Sequence, residues 1–233
     1  MWNGKTKAIT LSYDDGTLQD IRFVELLNKY NLKATFNLNS SLFGLPGKLN
    51  INGQEIAHNK VKAEDVKHIY EGQEVAAQSL THPNLTLLDE TVVTRQVELD
   101  RLVLSDLVGY EVIGMAYPCG GVNNDDRVAQ IIKETTGVKY ARTITSTFNT
   151  ELQDNLFRFN PSVHHIKSDK MLDVVTKFIE TDYAEPRLLY IWGHTFELDV
   201  GEGERWGEIE ELFKLISGKN DIFYGTNRET LLN

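Results

Sequence analysis

The fold is indicated first by one stretch near the amino terminus, Ala8-Ile9-Thr10-Leu11-Ser12-Tyr13-Asp14-Asp15-Gly16. Its first six residues are mostly apolar or β-branched and have the length of a buried strand. The stretch ends in two carboxylates and a glycine, and Asp-Gly is a common turn pair. Because adjacent carboxylates repel each other, their place at a strand end favours a bound cation, with one carboxylate as ligand and the other free to act as a base.

Outward from this stretch, short apolar runs alternate with longer amphipathic runs. Strands are predicted at residues 7–13, 33–38, 73–77, 112–117, 138–142, 187–192 and 221–224. Helices are predicted at residues 19–30, 89–108, 125–136, 169–181 and 206–217. Strands that alternate with helices predict parallel βαβ units.

About seven strands favour a closed or nearly closed barrel, with a doubly wound open sheet as the alternative. No GxGxxG follows the first strand, which argues against a dinucleotide-binding domain. Residues 40–60, rich in Asn and Gly, form the longest segment predicted to be irregular. For the helix at 125–136, Asn123 or Asn124 is the predicted N-cap and Gly137 the predicted stop. We expect one domain over residues 1–233.

The composition narrows the class of protein. The chain has 233 residues, 41% hydrophobic and 25% charged, as in an ordinary globular protein, which excludes a disordered chain. No run approaches the roughly 18 apolar residues of a membrane span. With 34 acidic residues against 24 basic, a net charge of -10 and no basic run, binding to nucleic acid is not expected. The single cysteine excludes an internal disulfide, and the absence of an apolar leader predicts a cytoplasmic location.

Polar residues gather just after the predicted strands, and in a barrel that end carries the active site. Gln78 and His82 follow the third strand, and His194 follows the sixth. Asp15 and His82 would give two ligands of a divalent metal, to which Gln78 could add a weaker carbonyl oxygen. His194 can exchange a proton near neutral pH.

Four motifs in this order resemble the polysaccharide deacetylase family, which is also called the NodB-homology domain or carbohydrate esterase family four. The family motif Thr-Phe-Asp-Asp-Gly corresponds to Ser12-Tyr13-Asp14-Asp15-Gly16, and His-Ser/Thr-x-x-His corresponds to Gln78-Ser79-Leu80-Thr81-His82. The family motif Arg-x-Pro-Tyr-Gly corresponds to Ala116-Tyr117-Pro118-Cys119-Gly120, and the Leu-x-x-x-His run corresponds to Ile191-Trp192-Gly193-His194.

The resemblance implies an α/β fold, a distorted (β/α)7-type barrel that removes N-acetyl or O-acetyl groups from carbohydrate. It implies that Asp14 is the general base that deprotonates a metal-bound water. Asp15 and His82 would hold the metal, usually zinc, cobalt or nickel. The backbone N–H of Cys119 matches the oxyanion donor, and His194 would be the general acid that protonates the leaving amine.

The chain departs from the family pattern at two motif positions. Gln78 stands where the family has its first metal-binding histidine, and this loss should weaken metal binding. Ala116 stands where many members carry an arginine that orients the base. Arg142, at the end of the fifth predicted strand, could substitute for that arginine or could be a solvated surface residue.

The family's fourth motif, an Asp-Trp pair that supports the acid histidine, is not found. Arg158, His164 and His165 lie in the corresponding region. Adjacent residues of a strand point to opposite faces, so we expect at most one of the two histidines, with His164 preferred, to line the site.

Three functions from different classes remain open at this point. A metal-dependent deacetylase of carbohydrate is favoured. The second is a non-catalytic or metal-impaired sugar-binding relative, in which Tyr117, Trp192 or Phe196 would stack on sugar rings or would simply pack in the core. The third is a hydrolase of a non-sugar amide.

Overall fold

A curled sheet of parallel strands carries the site. The structure is a computed structural model that describes residues 1–201 and 203–232. The strands are β1 (Lys7–Asp14), β2 (Ala34–Leu38), β3 (Lys48–Ile51), β4 (Gln54–Ala57), β5 (Glu74–Ala77), β6 (Gly114–Ala116), β7 (Tyr140–Arg142), β8 (Val163–His164), β9 (Arg187–His194) and β10 (Ile222–Tyr224). The helices are α1 (Gln19–Lys29), α2 (Val66–Ile69), α3 (Glu90–Val108), α4 (Asp126–Thr135), α5 (Asp169–Glu180), α6 (Glu204–Ile216) and α7 (Asn227–Leu231).

The main sheet has eight strands within the described ranges, in the order β7-β6-β5-β2-β1-β9-β8, with β10 also paired to β1. Every pairing in it is parallel. Helices connect the strands and cover the outer face, as in a distorted (β/α)7 barrel, and the predicted fold class is confirmed. No described helix is both long and apolar enough to cross a membrane.

The register of the central strands places the site. β1 pairs with β9 along its whole length, which sets Asp14 level with His194, and β2 sets Asn37 beside Asp14. Because parallel strands end at one edge of the sheet, residues far apart in sequence meet there. All eight residues of β1 are buried, so this strand forms the middle of the fold.

The two faces of β1 have different partners. From Ile9 onwards, odd-numbered residues join the main hydrophobic core, where Tyr13 packs on Phe23 of α1 (ring centroids 4.1 Å apart) and Phe23 packs on Phe213 of α6 (5.5 Å). From Thr10 onwards, even-numbered residues face a polar interior, where Ser12 Oγ accepts a hydrogen bond from Asn37 Nδ2 (2.9 Å). Strand alternation therefore sends apolar side chains to the helices and Asp14 inward.

All seven predicted strands and five predicted helices exist, with ends that differ by a few residues. β8 was missed because a strand of two residues has no period to detect, and the short helices α2 and α7 were missed for the same reason. The main sheet therefore has one strand more than predicted.

The prediction that residues 40–60 are irregular was wrong, because β3 and β4 pair antiparallel there. Asn52 (φ 53°) and Gly53 (φ 85°) form the turn, and an Asn-Gly pair with both residues in the left-handed region is typical of two-residue hairpins. The sequence contained this signal.

The predicted cap residues of α4 were also wrong. Asp125 is the N-cap, and its carboxylate accepts a hydrogen bond from Val128 N–H (2.7 Å). Asn123 instead donates to the carbonyl oxygens of residues 117–119, which holds that loop at the site. Gly137 does not adopt the left-handed conformation of a helix stop. A Cβ atom there would lie 2.4 Å from the Arg101 guanidinium carbon, so a larger residue would require the Arg101 side chain to shift.

Candidate active site

Asp14 ends β1 and is almost fully buried, with 1% of its surface exposed. The Arg142 guanidinium contacts both of its carboxylate oxygens, and Asn37 Nδ2 donates to Oδ1 (2.8 Å). Arg142 also donates to Ser12 Oγ (3.1 Å) and to the Thr143 carbonyl (2.9 Å). The carboxylate is therefore fixed in direction and balanced in charge.

Arg142 is not a surface residue, because its side chain is completely buried. It lies behind Asp14 and does not line the cavity beside it, so the structure does not support the predicted contact with substrate. Its position agrees with the other role considered for it, which is to orient Asp14 in the absence of an arginine at Ala116.

Asp15 follows the strand in a left-handed conformation (φ 81°), which a non-glycine residue adopts only where the surroundings enforce it. Its N–H donates to the Asn37 carbonyl (3.0 Å) and to Gln78 Oε1 (3.1 Å). Its carboxylate meets two histidines: His58 Nε2 lies 2.9 Å from Oδ2, and His82 Nε2 lies 3.5 Å from Oδ1. Burial favours the neutral carboxyl, but the hydrogen bond with His58 and the nearby positive charges outweigh it and hold the pKa of Asp15 below its usual range.

The loop after β5 carries Gln78 and His82 and is held from below by Asp100. The Asp100 carboxylate accepts hydrogen bonds from the N–H groups of Ser40 (2.7 Å) and Gln78 (3.1 Å), and its burial raises its pKa to about 7. Ser79 (φ 70°) and His82 (φ 59°) both have left-handed backbones. This strained path turns His82 towards Asp15.

His194 ends β9, opposite Asp14. Its Nε2 lies 4.0 Å from Asp14 Oδ2, and its Nδ1 lies 3.3 Å from Glu197 Oε2. Burial alone would lower the pKa of His194. The Glu197 carboxylate and the charges of Asp15 and Asp14 outweigh that effect and raise the pKa to about 9. His194 is therefore protonated at neutral pH.

Glu197 was not predicted as a site residue, yet three imidazoles converge on its Oε2. His164 Nε2 lies 3.2 Å and His165 Nε2 lies 3.0 Å from this oxygen. His194 Nδ1 is the third, and the backbone N–H of His194 also donates to Glu197 Oε2 (3.1 Å). Burial would raise the pKa of Glu197, but the three histidines lower it far below its usual range. Glu197 lies three residues after His194, the N-cap of a short helical turn, which is the spacing of a capping box. This spacing is visible in the sequence and could have indicated Glu197.

At most one of His164 and His165 was expected to line the site. Neither lines the cavity beside Asp14, but both contact Glu197 Oε2. β8 ends at His164, so His165 lies beyond the strand and does not follow its alternation. Tyr13 Oη lies 3.1 Å from His165 Nδ1, and burial lowers the pKa of His165 to about 4. His165 is thus a neutral, fully buried support. His164 does not line the cavity beside Asp14, so the structure does not support its predicted contact with substrate.

A cavity of about 150 Å³ opens over these groups. It brings together eight of the ten predicted site residues, namely Asp14, Asp15, Gln78, His82, Tyr117, Cys119, Trp192 and His194. The two that lie outside it are Arg142 and His164. Residues from the ends of β1, β5, β6 and β9 therefore share one small polar space.

The loop after β6 adds a donor and an apolar wall to this cavity. The Cys119 backbone is left-handed (φ 69°), and its N–H points to His82 Nε2 (3.4 Å). Burial raises the pKa of the Cys119 thiol, which argues against a thiolate nucleophile. Tyr117 is fully buried and donates to the Phe157 carbonyl (2.8 Å), so its ring is part of the core. The Trp192 indole Nε1 is buried without a hydrogen-bond partner.

Comparison with known proteins gives the class that this fold and site define. The sequence profile described as "Polysaccharide deacetylase" matches residues 3–141, and the chain belongs to this family. The chain is 29% identical over 119 residues (51% of its length) to a bifunctional xylanase/deacetylase of Pseudobutyrivibrio xylanivorans. It is 32% identical over 120 residues (50% of its length) to the peptidoglycan-N-acetylglucosamine deacetylase PgdA of Listeria monocytogenes.

These matches span only 17% and 22% of the two relatives, which are much longer proteins. Among solved structures, the chain resembles a family 4 carbohydrate esterase from Streptomyces lividans in complex with acetate. The TM-score is 0.59 at 13% identity, and the alignment covers 95% of this chain and 93% of that one. At this identity the likeness concerns the fold.

Proposed function

We propose that this chain is a metal-dependent hydrolase that removes acetyl groups from N-acetylated or O-acetylated carbohydrate. The observation that carries the proposal is the facing pair of Asp14 and His194, 4.0 Å apart in a cavity that Asp15 and His82 also line. A base and a protonated acid at one carbonyl are what amide hydrolysis requires. Two relatives are named as deacetylases, one of them acting on N-acetylglucosamine in peptidoglycan, so polymers of that sugar are the first substrates to test.

Asp14 takes the proton from the attacking water. Arg142 and Asn37 hold its carboxylate from behind, so that Oδ2 remains directed at the cavity and at His194. A base fixed in this way loses little entropy at the moment of reaction.

His194 gives its proton to the leaving nitrogen. With a pKa raised to about 9, it carries that proton at neutral pH, and the Glu197 carboxylate, 3.3 Å from Nδ1, stabilises the charge of the ring. The Cys119 N–H, which lies 3.4 Å from His82 Nε2 and beside the same cavity, would stabilise the oxygen on which negative charge develops.

The donor set suits a divalent cation. Asp15 Oδ1 is buried without a hydrogen-bond partner, and His82 Nε2 is directed at it, as in sites that bind zinc through carboxylate and imidazole. Asp15 and His82 would hold the ion, with Gln78 at the position of the family's third ligand. When bound, zinc would act as a Lewis acid that polarises the acetyl carbonyl and activates water.

The test is acetate release from an acetylated chito-oligosaccharide by the zinc-loaded protein. We expect Asp14→Asn to reduce the rate by about 10²- to 10⁴-fold, the usual contribution of a general base. Asp173→Asn, an exposed aspartate on α5, is the matched control and should leave the rate unchanged. Undiminished turnover by Asp14→Asn would contradict the proposed mechanism.

Gln78 favours a second candidate, a sugar-binding relative that has lost metal-dependent catalysis. Its Oε1 accepts the Asp15 N–H and is to that extent occupied. Saturable binding of the oligosaccharide without acetate release, with or without zinc, would support this reading over the first.

A further inference from the structure

We propose that His58, which the β3–β4 hairpin delivers to the site, is the third protein ligand of the divalent metal in place of Gln78. This rests on the proposed function only in that a metal is bound at Asp15. The motifs do not indicate His58, because it lies 20 residues before Gln78, just after β4.

Asp15 is the point at which the two histidines meet. His58 presents Nε2 to Oδ2 (2.9 Å), and His82 presents Nε2 to Oδ1 (3.5 Å). A zinc ion with Zn–N and Zn–O bonds of about 2.0–2.2 Å separates its tetrahedral ligands by roughly 3.4 Å. The observed separations lie near that value but are measured to different carboxylate oxygens, so the two histidine rings must move closer together to hold one ion.

Gln78 is poorly placed to serve as the third ligand. Its Oε1 accepts the N–H of Asp15 (3.1 Å), and the residue is 1% exposed. An amide oxygen is also a weaker ligand for zinc than an imidazole nitrogen. The buried Oδ1 of Asp15, which lacks a hydrogen-bond partner, is a further sign that a cation belongs beside this carboxylate.

Backbone contacts hold His58 in its position. Its N–H donates to the Gly47 carbonyl (2.8 Å), and a Cβ on Gly47 would lie 2.7 Å from the His58 carbonyl oxygen, so this approach requires glycine. Lys60 Nζ donates to the Asp15 carbonyl (2.6 Å), which ties the segment after the hairpin to the end of β1. The His58 ring packs edge-on against Phe196 (centroids 4.9 Å apart).

A ligand from this side leaves an opening for substrate. His58, His82 and Asp15 line a second cavity of about 360 Å³, whose remaining wall consists of Lys60 and mostly apolar residues between positions 42 and 49. Asp15 and His82 also line the smaller cavity that contains Asp14 and His194. The metal would therefore lie where the two spaces meet, with the hairpin as one wall of the substrate site.

The test is zinc binding by the full chain after removal of metal with a chelator, measured by titration calorimetry, with Co²⁺ absorption as a report on the ligand geometry. We expect one ion per chain and a loss of affinity of at least about 100-fold in His58→Ala and in His82→Ala, more than outer-shell changes usually cost. Gln78→Ala should bind within a few-fold of the parent. His68→Ala, an exposed histidine on α2, is the matched control.

His58→Cys should restore zinc binding and move the Co²⁺ spectrum towards that of a thiolate ligand, which a purely structural role would not produce. Unchanged zinc affinity in His58→Ala, or no binding by the parent, would overturn the inference and leave His58 as an ion-pair partner of Asp15. Acetate release is measured separately. A chain that binds zinc through His58 without releasing acetate supports this inference and refutes the proposed function. Acetate release that is independent of His58 supports the proposed function and refutes this inference.

Discussion

The buried pair of Arg142 and Asp14 allows a prediction with a defined magnitude. The side chains are 0% and 2% exposed, so loss of one partner leaves the other charge almost fully buried and without its counter-charge. Removal of one member of such a pair costs about 3–5 kcal/mol. We expect Arg142→Met to lower the free energy of unfolding by this amount, and the melting temperature by roughly 6–20 °C for a chain of this size.

The assay is urea unfolding followed by circular dichroism, arranged as a double-mutant cycle. Asp14→Asn alone should also destabilise, because it leaves the Arg142 guanidinium without a counter-charge. The double variant should lose at least about 2 kcal/mol less than the sum of the single losses, because neither charge is then unpaired. Arg158→Met is the matched control. Arg158 pairs with the Asp126 carboxylate, which is 89% exposed, and its loss should cost under about 1 kcal/mol.

Two results would refute this reasoning. One is a loss below about 1 kcal/mol in Arg142→Met, the level of an exposed pair. The other is additivity of the two substitutions within about 0.5 kcal/mol, as for independent sites. If Arg142→Met does not fold, Arg142→Lys keeps the charge and loses the planar guanidinium that also donates to Ser12 Oγ and the Thr143 carbonyl. It should then be folded and less stable than the parent.

Three further predictions follow from single residues. His194 must be protonated to act as the acid, and its pKa is raised to about 9, so the rate should fall as pH rises through about 9. In Glu197→Gln, which removes a carboxylate that raises this pKa, the fall should occur at least about one pH unit lower. A pH–rate profile of kcat that is identical in the two proteins would contradict the role of Glu197. The pKa of Asp100 is about 7 in the folded protein and about 3.9 in an unfolded chain. Protonation of Asp100 therefore stabilises the fold fully below pH ~4, and this contribution is lost as pH rises through about 7. The melting temperature of the parent relative to Asp100→Asn should therefore increase from pH 8 to pH 5, and a constant difference would exclude this linkage. Gly53 has φ 85° with open space around it, so Gly53→Ala should lower the free energy of unfolding by about 1–2 kcal/mol. Gly207→Ala within α6, the comparison variant, should raise it by about 0.5–1 kcal/mol, both measured by urea unfolding. A loss of stability in both variants would point to lost flexibility rather than to the left-handed turn.

Local sequence patterns were sufficient for seven strands of the main sheet, the longer helices and four central site residues. Asp14, Asp15, His82 and His194 each follow a buried apolar run, and a parallel sheet collects such ends at one edge. This relation needs no knowledge of side-chain contacts. It explains why most of the predicted site residues line one cavity.

Side-chain partnership could not be decided from the sequence. The resemblance left Arg142 as a partner of Asp14 or as a surface residue, and only the burial and contact of the two groups, 128 residues apart, show that they pair. The convergence of three histidines on Glu197 depends on where β8 ends. The pKa of His194 follows from that convergence and from the nearby aspartates.

The sequence by itself therefore determined the order of seven main-sheet strands and the five longer helices, and the end of the sheet at which the chemistry lies, because periodicity and strand ends are local properties. Only the tertiary structure decided which groups hold Asp14 and His194, and that His58 reaches Asp15 from a hairpin. The physical reason is that burial and charge pairing depend on distances across the fold, which residue spacing along the chain does not specify.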